Sequence, residues 1–316
     1  MKNPAFRGVI PALTTPFNDD TTLDADGFFR LAKMVIEDGV DGLLVNGCTA
    51  ESWALSEDER GVIFRTAVEA AAGRVPVVAG CSAIFADEVI KKTHQAADAG
   101  CDVVMVSAPW YIIPGEEEIA DHFRKVIAQS PLPILLYNIP RRTGVNLSIP
   151  LIDRLADEDK VIAIKESSKD WGTLSSVIRV AGDRISVFAG YASFFGLAAL
   201  SEGAVGYMDS GTPVFGRTST EFYKAVIDGD LPKARRIQAE MASMLNSFFG
   251  LGTFPASVKA SLDLVGRPGG RTRDPIRPLT TEQREKLRGI MESSGFSDRV
   301  VPSSRAGGTR VESRPS

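Results

Sequence analysis

Histidine is nearly missing from this chain: its 316 residues include only two, His94 and His122, both in segments of helical pattern. Neither pairs with a cysteine at metal-ligand spacing, so no zinc site is expected. Histidine general-base catalysis is equally unsupported, which leaves proton transfer to tyrosine, lysine or a group of the substrate. Cysteine is scarce as well. Cys48, Cys81 and Cys101 are odd in number and widely spaced, which argues against a disulfide framework. The same pattern suits a reducing compartment, with the cytoplasm as the expected location. No apolar run approaches the ~20 residues that span a bilayer, and the first residues lead into a strand without a signal-peptide apolar region. Net charge is −4 with no basic cluster longer than a pair in the body, so neither nucleic acid nor a membrane is an expected partner. No G-x-G-x-x-G follows the first apolar run, which weakens a dinucleotide-binding reading.

What is present is apolar mass in short pieces. Hydrophobic residues make up 44% and charged residues 24%, enough for one large core. The length fits two average domains or one α/β barrel. Short runs rich in Val, Ile and Leu alternate with longer stretches of helical period. The predicted strands are residues 8–13, 42–46, 76–80, 102–107, 133–138, 161–166, 185–189 and 204–208. Eight βα units favour a closed (β/α)8 TIM barrel over an open doubly wound sheet. Ser56-Glu57-Asp58-Glu59 and Thr280-Thr281-Glu282-Gln283 read as capping boxes that open helices. The expected organisation is a catalytic barrel over residues 1–228 and a C-terminal helical appendage over 229–296. Residues 297–316, rich in Ser, Arg, Gly and Pro, are expected to be a disordered tail.

Lys165 carries the most chemistry. It closes the apolar run Val161-Ile162-Ala163-Ile164, 28 residues after Tyr137, which ends the run Pro133-Ile134-Leu135-Leu136. Burial disfavours the ammonium and lowers a lysine pKa, and a neutral amine attacks a carbonyl carbon to form a Schiff base. The plainer alternative is a strand-end lysine whose head snorkels to water. Barrel active sites lie at the C-terminal ends of the strands. Thr49, Tyr111, Tyr137, Lys165 and Gly190 all follow or end predicted strands, so distant residues meet at one mouth. In isolation Tyr111 and Tyr137 read equally well as packing tyrosines, and Arg142 beside Arg141 as a solvated pair. Glu51 and Glu166 are left out of the catalytic set, because loop-start carboxylates more often cap helices or pair with basic residues.

Four segments carry a family resemblance over residues 8 to about 291. They are Gly8-Val9-Ile10-Pro11-Ala12-Leu13-Thr14-Thr15-Pro16-Phe17, Gly47-Cys48-Thr49-Ala50-Glu51-Ser52, Tyr137-Asn138-Ile139-Pro140-Arg141-Arg142-Thr143-Gly144 and Ile164-Lys165-Glu166-Ser167. In this order, on these strand ends, the chain resembles the dihydrodipicolinate synthase / N-acetylneuraminate lyase family. The resemblance implies a Schiff-base-forming lyase acting on pyruvate or a related 2-oxo acid with a carboxylate-bearing aldehyde. It implies no cofactor beyond the covalent imine at Lys165, and a homo-oligomer, dimer or tetramer. By the same resemblance Tyr137 is the acid/base group. Tyr111 is the tyrosine inserted into a neighbouring subunit's site. Cys48, Thr49, Gly190 and Met208 bind the 2-oxo acid, and Arg142 binds the aldehyde's carboxylate.

The sequence departs from the family's pattern at the strand-two loop, which reads Gly-Cys-Thr-Ala-Glu where Gly-Thr-Thr-Gly-Glu or Gly-Ser-Thr-Gly-Glu is usual. Cys48 puts a weakly hydrogen-bonding thiol where the proton relay has a hydroxyl, and Ala50 removes glycine's freedom. Trp110-Tyr111 replaces a tyrosine pair, followed by Ile112-Ile113-Pro114. These changes keep two further readings open. One is a dehydratase or aldolase of a 2-keto-3-deoxy sugar acid on the same lysine. The other is a non-catalytic barrel that binds a small 2-oxo acid.

Overall fold

The structure is a computed structural model that describes residues 6–296 and 299–301, without the side chains of 247–249. Its eight strands are β1 Gly8–Val9, β2 Leu43–Val45, β3 Val77–Gly80, β4 Val103–Ser107, β5 Ile134–Asn138, β6 Val161–Glu166, β7 Ser186–Ala189 and β8 Gly206–Tyr207. They pair in parallel in the order β1-β8-β7-β6-β5-β4-β3-β2, and a parallel bridge between Ala12 and Leu44 joins the two ends into a barrel. The predicted first strand is regular only over Gly8–Val9 because Pro11 has no N–H to give the ladder. The segment still closes the barrel. Ile10 and Ala12 donate to the carbonyls of Tyr207 (3.0 Å) and Asp209 (2.8 Å), and Leu13 donates to Leu44 (2.9 Å).

Side chains alternate across this sheet, as a two-residue period demands. Leu44, Val78, Leu135, Tyr137, Ala163 and Met208 point into the barrel. Their neighbours Leu43, Val45, Val77, Ala79, Ile134, Leu136 and Ile164 pack outward against the helices. Each such fully buried Leu, Ile or Val contributes about 1.5–3 kcal/mol of apolar transfer.

Both predicted capping boxes form. Ser56 N–H donates to Glu59 (2.9 Å) and Glu59 N–H to Ser56 Oγ (3.1 Å), opening the helix Glu57–Ala71. Thr280 and Gln283 exchange the same pair of bonds at 2.9 and 3.2 Å ahead of Thr281–Met291. The appendage comprises helices Leu231–Gly250, Ala256–Leu264 and Thr281–Met291. It is tied to the barrel at several points. Gln238 accepts from Leu197 N–H (2.7 Å), Arg267 meets Asp38 (2.6 Å) and Arg273 meets Glu59 (2.5 Å).

Of the segment expected to be a disordered tail, only Arg299–Val301 lies among the described residues, and there the expectation is corrected. Arg299 donates to Phe215 O and to Thr218 Oγ1 (2.5 Å), while Val301 N–H donates to Leu264 O (2.8 Å). An arginine fork on backbone and hydroxyl acceptors anchors these three residues where composition alone showed no apolar reason to fold.

Candidate active site

The register of β5 on β6 sets Tyr137 directly beside Lys165 and, one residue on, Asn138 beside Glu166. The pleat then separates their roles. Tyr137 lines the barrel mouth with Lys165, whose Nζ stands 4.7 Å from the Tyr137 ring centroid. Asn138 and Glu166 turn the other way and brace the loops: Asn138 Nδ2 donates to Glu166 (2.9 Å) and to Asn146 (2.9 Å), and Ser168 N–H donates to Glu166 (2.9 Å). Burial raises the Glu166 carboxyl to about 7, against the bonds from Ser168 and Asn138. Its partners are neutral donors, so Glu166 is a loop brace rather than half of an ion pair.

Lys165 is 5% exposed. Removal from water pulls its amine down to about 8, with Cys48 and Asp209 opposing. Burial also holds the Tyr137 phenol well above its ordinary value, so it stands protonated at neutral pH, ready to donate. Together they line a cavity of about 70 Å³ with Cys48, Thr49, Arg142, Gly190 and Met208. Seven of the eight residues singled out from the sequence therefore meet in one cavity of a single chain.

Each is placed by its local structure. Cys48 and Thr49 lie in the tight turn Cys48–Ala50 that follows β2. Ala50 N–H donates to Gly47 O (3.1 Å), a helical arrangement that makes no use of glycine's extra freedom. Burial pushes the Cys48 thiol up, with Arg142 and Lys165 pulling back. Arg142 rides on the short helix Pro140–Thr143, its guanidinium 5.8 Å from the Phe254 ring. Gly190 must be glycine: a Cβ there would lie 1.9 Å from Ser167 Oγ and 2.7 Å from Glu166 O. Met208 forms part of the floor, with its N–H on Ala189 O (2.9 Å).

Tyr111 is the exception. It is 88% exposed and does not line the Lys165 cavity of its own chain, so the structure does not bring it to the site. It sits in a loop with Ile112 and Ile113, also exposed, and both Tyr111 and Ile113 hold positive φ (76° and 43°), where side chains are strained. The two histidines are on the outer helices Ala86–Asp98 and Glu116–Gln129.

Sequence reasoning missed Arg141, Ser167, Tyr191, Asp209, Ser210 and Phe254, which also line the cavity. Phe254 arrives from the appendage. Asp209 directly follows predicted strand eight, and its place at a barrel strand end was the one signal available. A second chamber of about 430 Å³ adjoins the first, sharing Cys48, Tyr137, Ile139, Arg142 and Phe254, and reaches out to Trp53 and Trp110.

A closed α/β barrel with a buried amine at its strand ends has the arrangement that Schiff-base chemistry requires. Residues 5–294 match the dihydrodipicolinate synthetase family, and the chain belongs to that family. It is 35% identical to the 4-hydroxy-tetrahydrodipicolinate synthase of Methanothrix thermoacetophila over 286 residues, 90% of this chain and 96% of that one. Among solved structures, it is similar to a prophage protein of the dihydrodipicolinic acid synthase family from E. coli K12 in complex with pyruvate. There the TM-score is 0.88 at 30% identity, over 92% of this chain and 99% of the other. It is similar also to the Cyanidioschyzon merolae synthase with lysine bound, with a TM-score of 0.87 at 30% identity over 92% and 99% of the chains. This protein is a lyase of that family, synthase-like in sequence. Among the described residues no helix is long and apolar enough to cross a membrane.

Proposed function

We propose that the protein condenses or cleaves a 2-oxo acid of the pyruvate type and an aldehyde through an imine on Lys165. The observation that carries this reading is the buried Lys165 amine, drawn down to about 8 and set beside the Tyr137 ring. Imine formation turns a ketone into an electron sink, so the adjacent carbon gives up a proton and a C–C bond forms or breaks. Tyr137 delivers and removes the proton at the carbinolamine. Thr49 and its loop N–H groups hold the acid's carboxylate, Gly190 contacts it through its main chain, and Cys48 and Met208 complete its pocket. Arg142 takes the aldehyde's carboxylate, which a planar guanidinium suits.

Residues 1–228 are the catalytic barrel in this proposal and 229–296 its helical cover. The exposed Tyr111-Ile112-Ile113 loop supports a homo-oligomer in which Tyr111 enters the neighbouring copy's site. The cytoplasm is the proposed location. The test is incubation with pyruvate and sodium borohydride: one reduced adduct per chain, mapped by peptide mass to Lys165, supports the reading. An adduct that survives Lys165→Ala would overturn it.

Two substitutions separate the roles. Tyr137→Phe is expected to lower kcat roughly 10²–10⁴-fold, the worth of a positioned acid/base group, measured by steady-state turnover. Arg142→Ala is expected to raise KM for a carboxylated aldehyde while pyruvate trapping persists, as loss of a charge-assisted bond worth about 1.5–3 kcal/mol. Equal loss with an uncarboxylated aldehyde would remove Arg142 from that role.

Insensitivity to L-lysine is a further expectation. By the family resemblance, the residues standing where feedback-controlled relatives bind lysine are taken to be Trp53, Ile84 and Trp110. Trp53 and Trp110 line the larger chamber, and neither side chain accepts a hydrogen bond from an ammonium. Ile84 offers no hydrogen bond to an ammonium or carboxylate. Millimolar L-lysine should therefore neither inhibit nor shift the melting temperature. Half-inhibition below about 1 mM, roughly 4 kcal/mol of binding, would contradict this.

A further inference from the structure

A buried carboxylate lines the Lys165 cavity and has no part in the imine chemistry above. Asp209 is 3% exposed and stands two residues beyond β8, between Met208 and Ser210. Its position is over-determined on one side. Oδ1 accepts from Thr212 N–H (2.9 Å) and from Thr212 Oγ1 (2.7 Å), and the Asp209 carbonyl accepts from Ala12 N–H (2.8 Å). The other oxygen, Oδ2, is buried with no hydrogen-bond partner among the described residues. Buried carboxylate oxygens are costly to leave unpaired, and a specific unpaired one in a cavity calls for an explanation.

Pyruvate supplies no such explanation. Its methyl group carries no donor, and its carboxylate is repelled by a second carboxylate while suiting the Thr49 loop N–H groups of the same cavity. A hydroxyl does supply one. It donates to an ionised carboxylate and accepts from a protonated one, so it satisfies Oδ2 in either state. Burial favours the protonated form, with the Thr212 bonds and the Lys165 charge opposing. The cavity of about 70 Å³ has space for a short carbon chain at Lys165.

We propose that Asp209 is a specificity-determining residue that bonds a hydroxyl on the carbon chain of the 2-oxo acid, so that this site prefers hydroxylated 2-oxo acids to alkyl ones. The proposal rests on the reading of Lys165 as the imine-forming residue.

Hydroxypyruvate and 2-oxobutyrate form a matched pair for the test, because a hydroxyl in one replaces a methyl of similar size in the other. The readout is the ratio of the concentrations that half-saturate borohydride trapping on Lys165. In the wild type hydroxypyruvate should half-saturate at roughly 2–10-fold lower concentration, the worth of one hydrogen bond to a neutral group. Asp209→Ala should collapse that ratio towards one. Asp209→Asn keeps an Oδ1 for Thr212 and puts an amide donor in place of Oδ2, so it should preserve the fold, as read by melting temperature, and retain part of the ratio. A wild-type ratio near one, with pyruvate still trapped on Lys165, overturns this proposal alone. A ratio preserved in folded Asp209→Ala overturns it as well. Failure to trap any of the three acids in the wild type overturns the Lys165 reading and this proposal together.

Discussion

Lys165→Ala is expected to lower turnover by at least about 10⁴-fold, the scale on which loss of a catalytic nucleophile is felt, and to abolish the borohydride adduct. The wild-type pH profile is the sharper part of this expectation. Burial, the dominant influence, draws the Lys165 amine down to about 8, whereas a lysine in water titrates near ~10.4. Only the neutral amine attacks. Trapping should therefore be slow at pH 6, reach its half-maximal rate near pH 8 and level off by roughly pH 9–10. The sign follows from burial: the charged form is the one penalised, so the amine is freed at lower pH than in solution. A profile that still climbs steeply above pH 10 would mean that the head of Lys165 reaches water after all. That is the snorkelling alternative, and it would end the imine reading.

Breaking the Glu51–Lys259 pair is expected to destabilise the protein by about 3–5 kcal/mol, because the surviving partner is left as an uncompensated buried charge. The two side chains are 0% and 1% exposed and meet directly. Glu51 also accepts from Arg273 N–H (2.9 Å), Lys259 donates to Arg271 O (2.5 Å), and Lys259 Nζ lies 4.4 Å from the Phe17 ring centroid. Burial pulls the Lys259 amine down to about 8 even with Glu51 opposing, so desolvation outweighs attraction at this site. Lys259→Met and Glu51→Gln should each lower the urea midpoint, and an apolar pair at both positions should recover most of the loss. Single variants that cost less than about 1 kcal/mol would show that water reaches the pair. Glu51 closes the turn Cys48–Ala50 with a left-handed backbone (φ 55°). Lys259→Met should therefore also raise the pyruvate concentration that half-saturates trapping, through displacement of Thr49.

The candidate site was legible where backbone period and strand ends settle it. A lysine and a tyrosine closing apolar runs had to reach the same mouth once the runs became neighbouring strands, and the register places them side by side. Glu51 and Glu166, set aside on general grounds, do turn away from the cavity. One is held by a buried lysine and the other by an asparagine and a loop N–H. Asp209 was not legible. Nothing local in Tyr207-Met208-Asp209-Ser210 separates an aspartate that caps a turn from one that lines a cavity, and here it does both. Phe254 was equally hidden, because its chain distance from Lys165 tells nothing of how the appendage folds back over the mouth.

By itself the sequence determined the barrel and the helix starts, since each depends on local chemistry. A short continuous apolar run between helical stretches makes a buried strand, and a hydroxyl three residues before a Glu or Gln opens a helix. Tertiary structure alone decided which polar groups became satisfied. Glu51 found Lys259 more than two hundred residues away, Tyr111 was left outside its own site, and one oxygen of Asp209 was left without a partner. Those outcomes depend on distances between elements, and pairing, burial and desolvation act through space rather than along the chain.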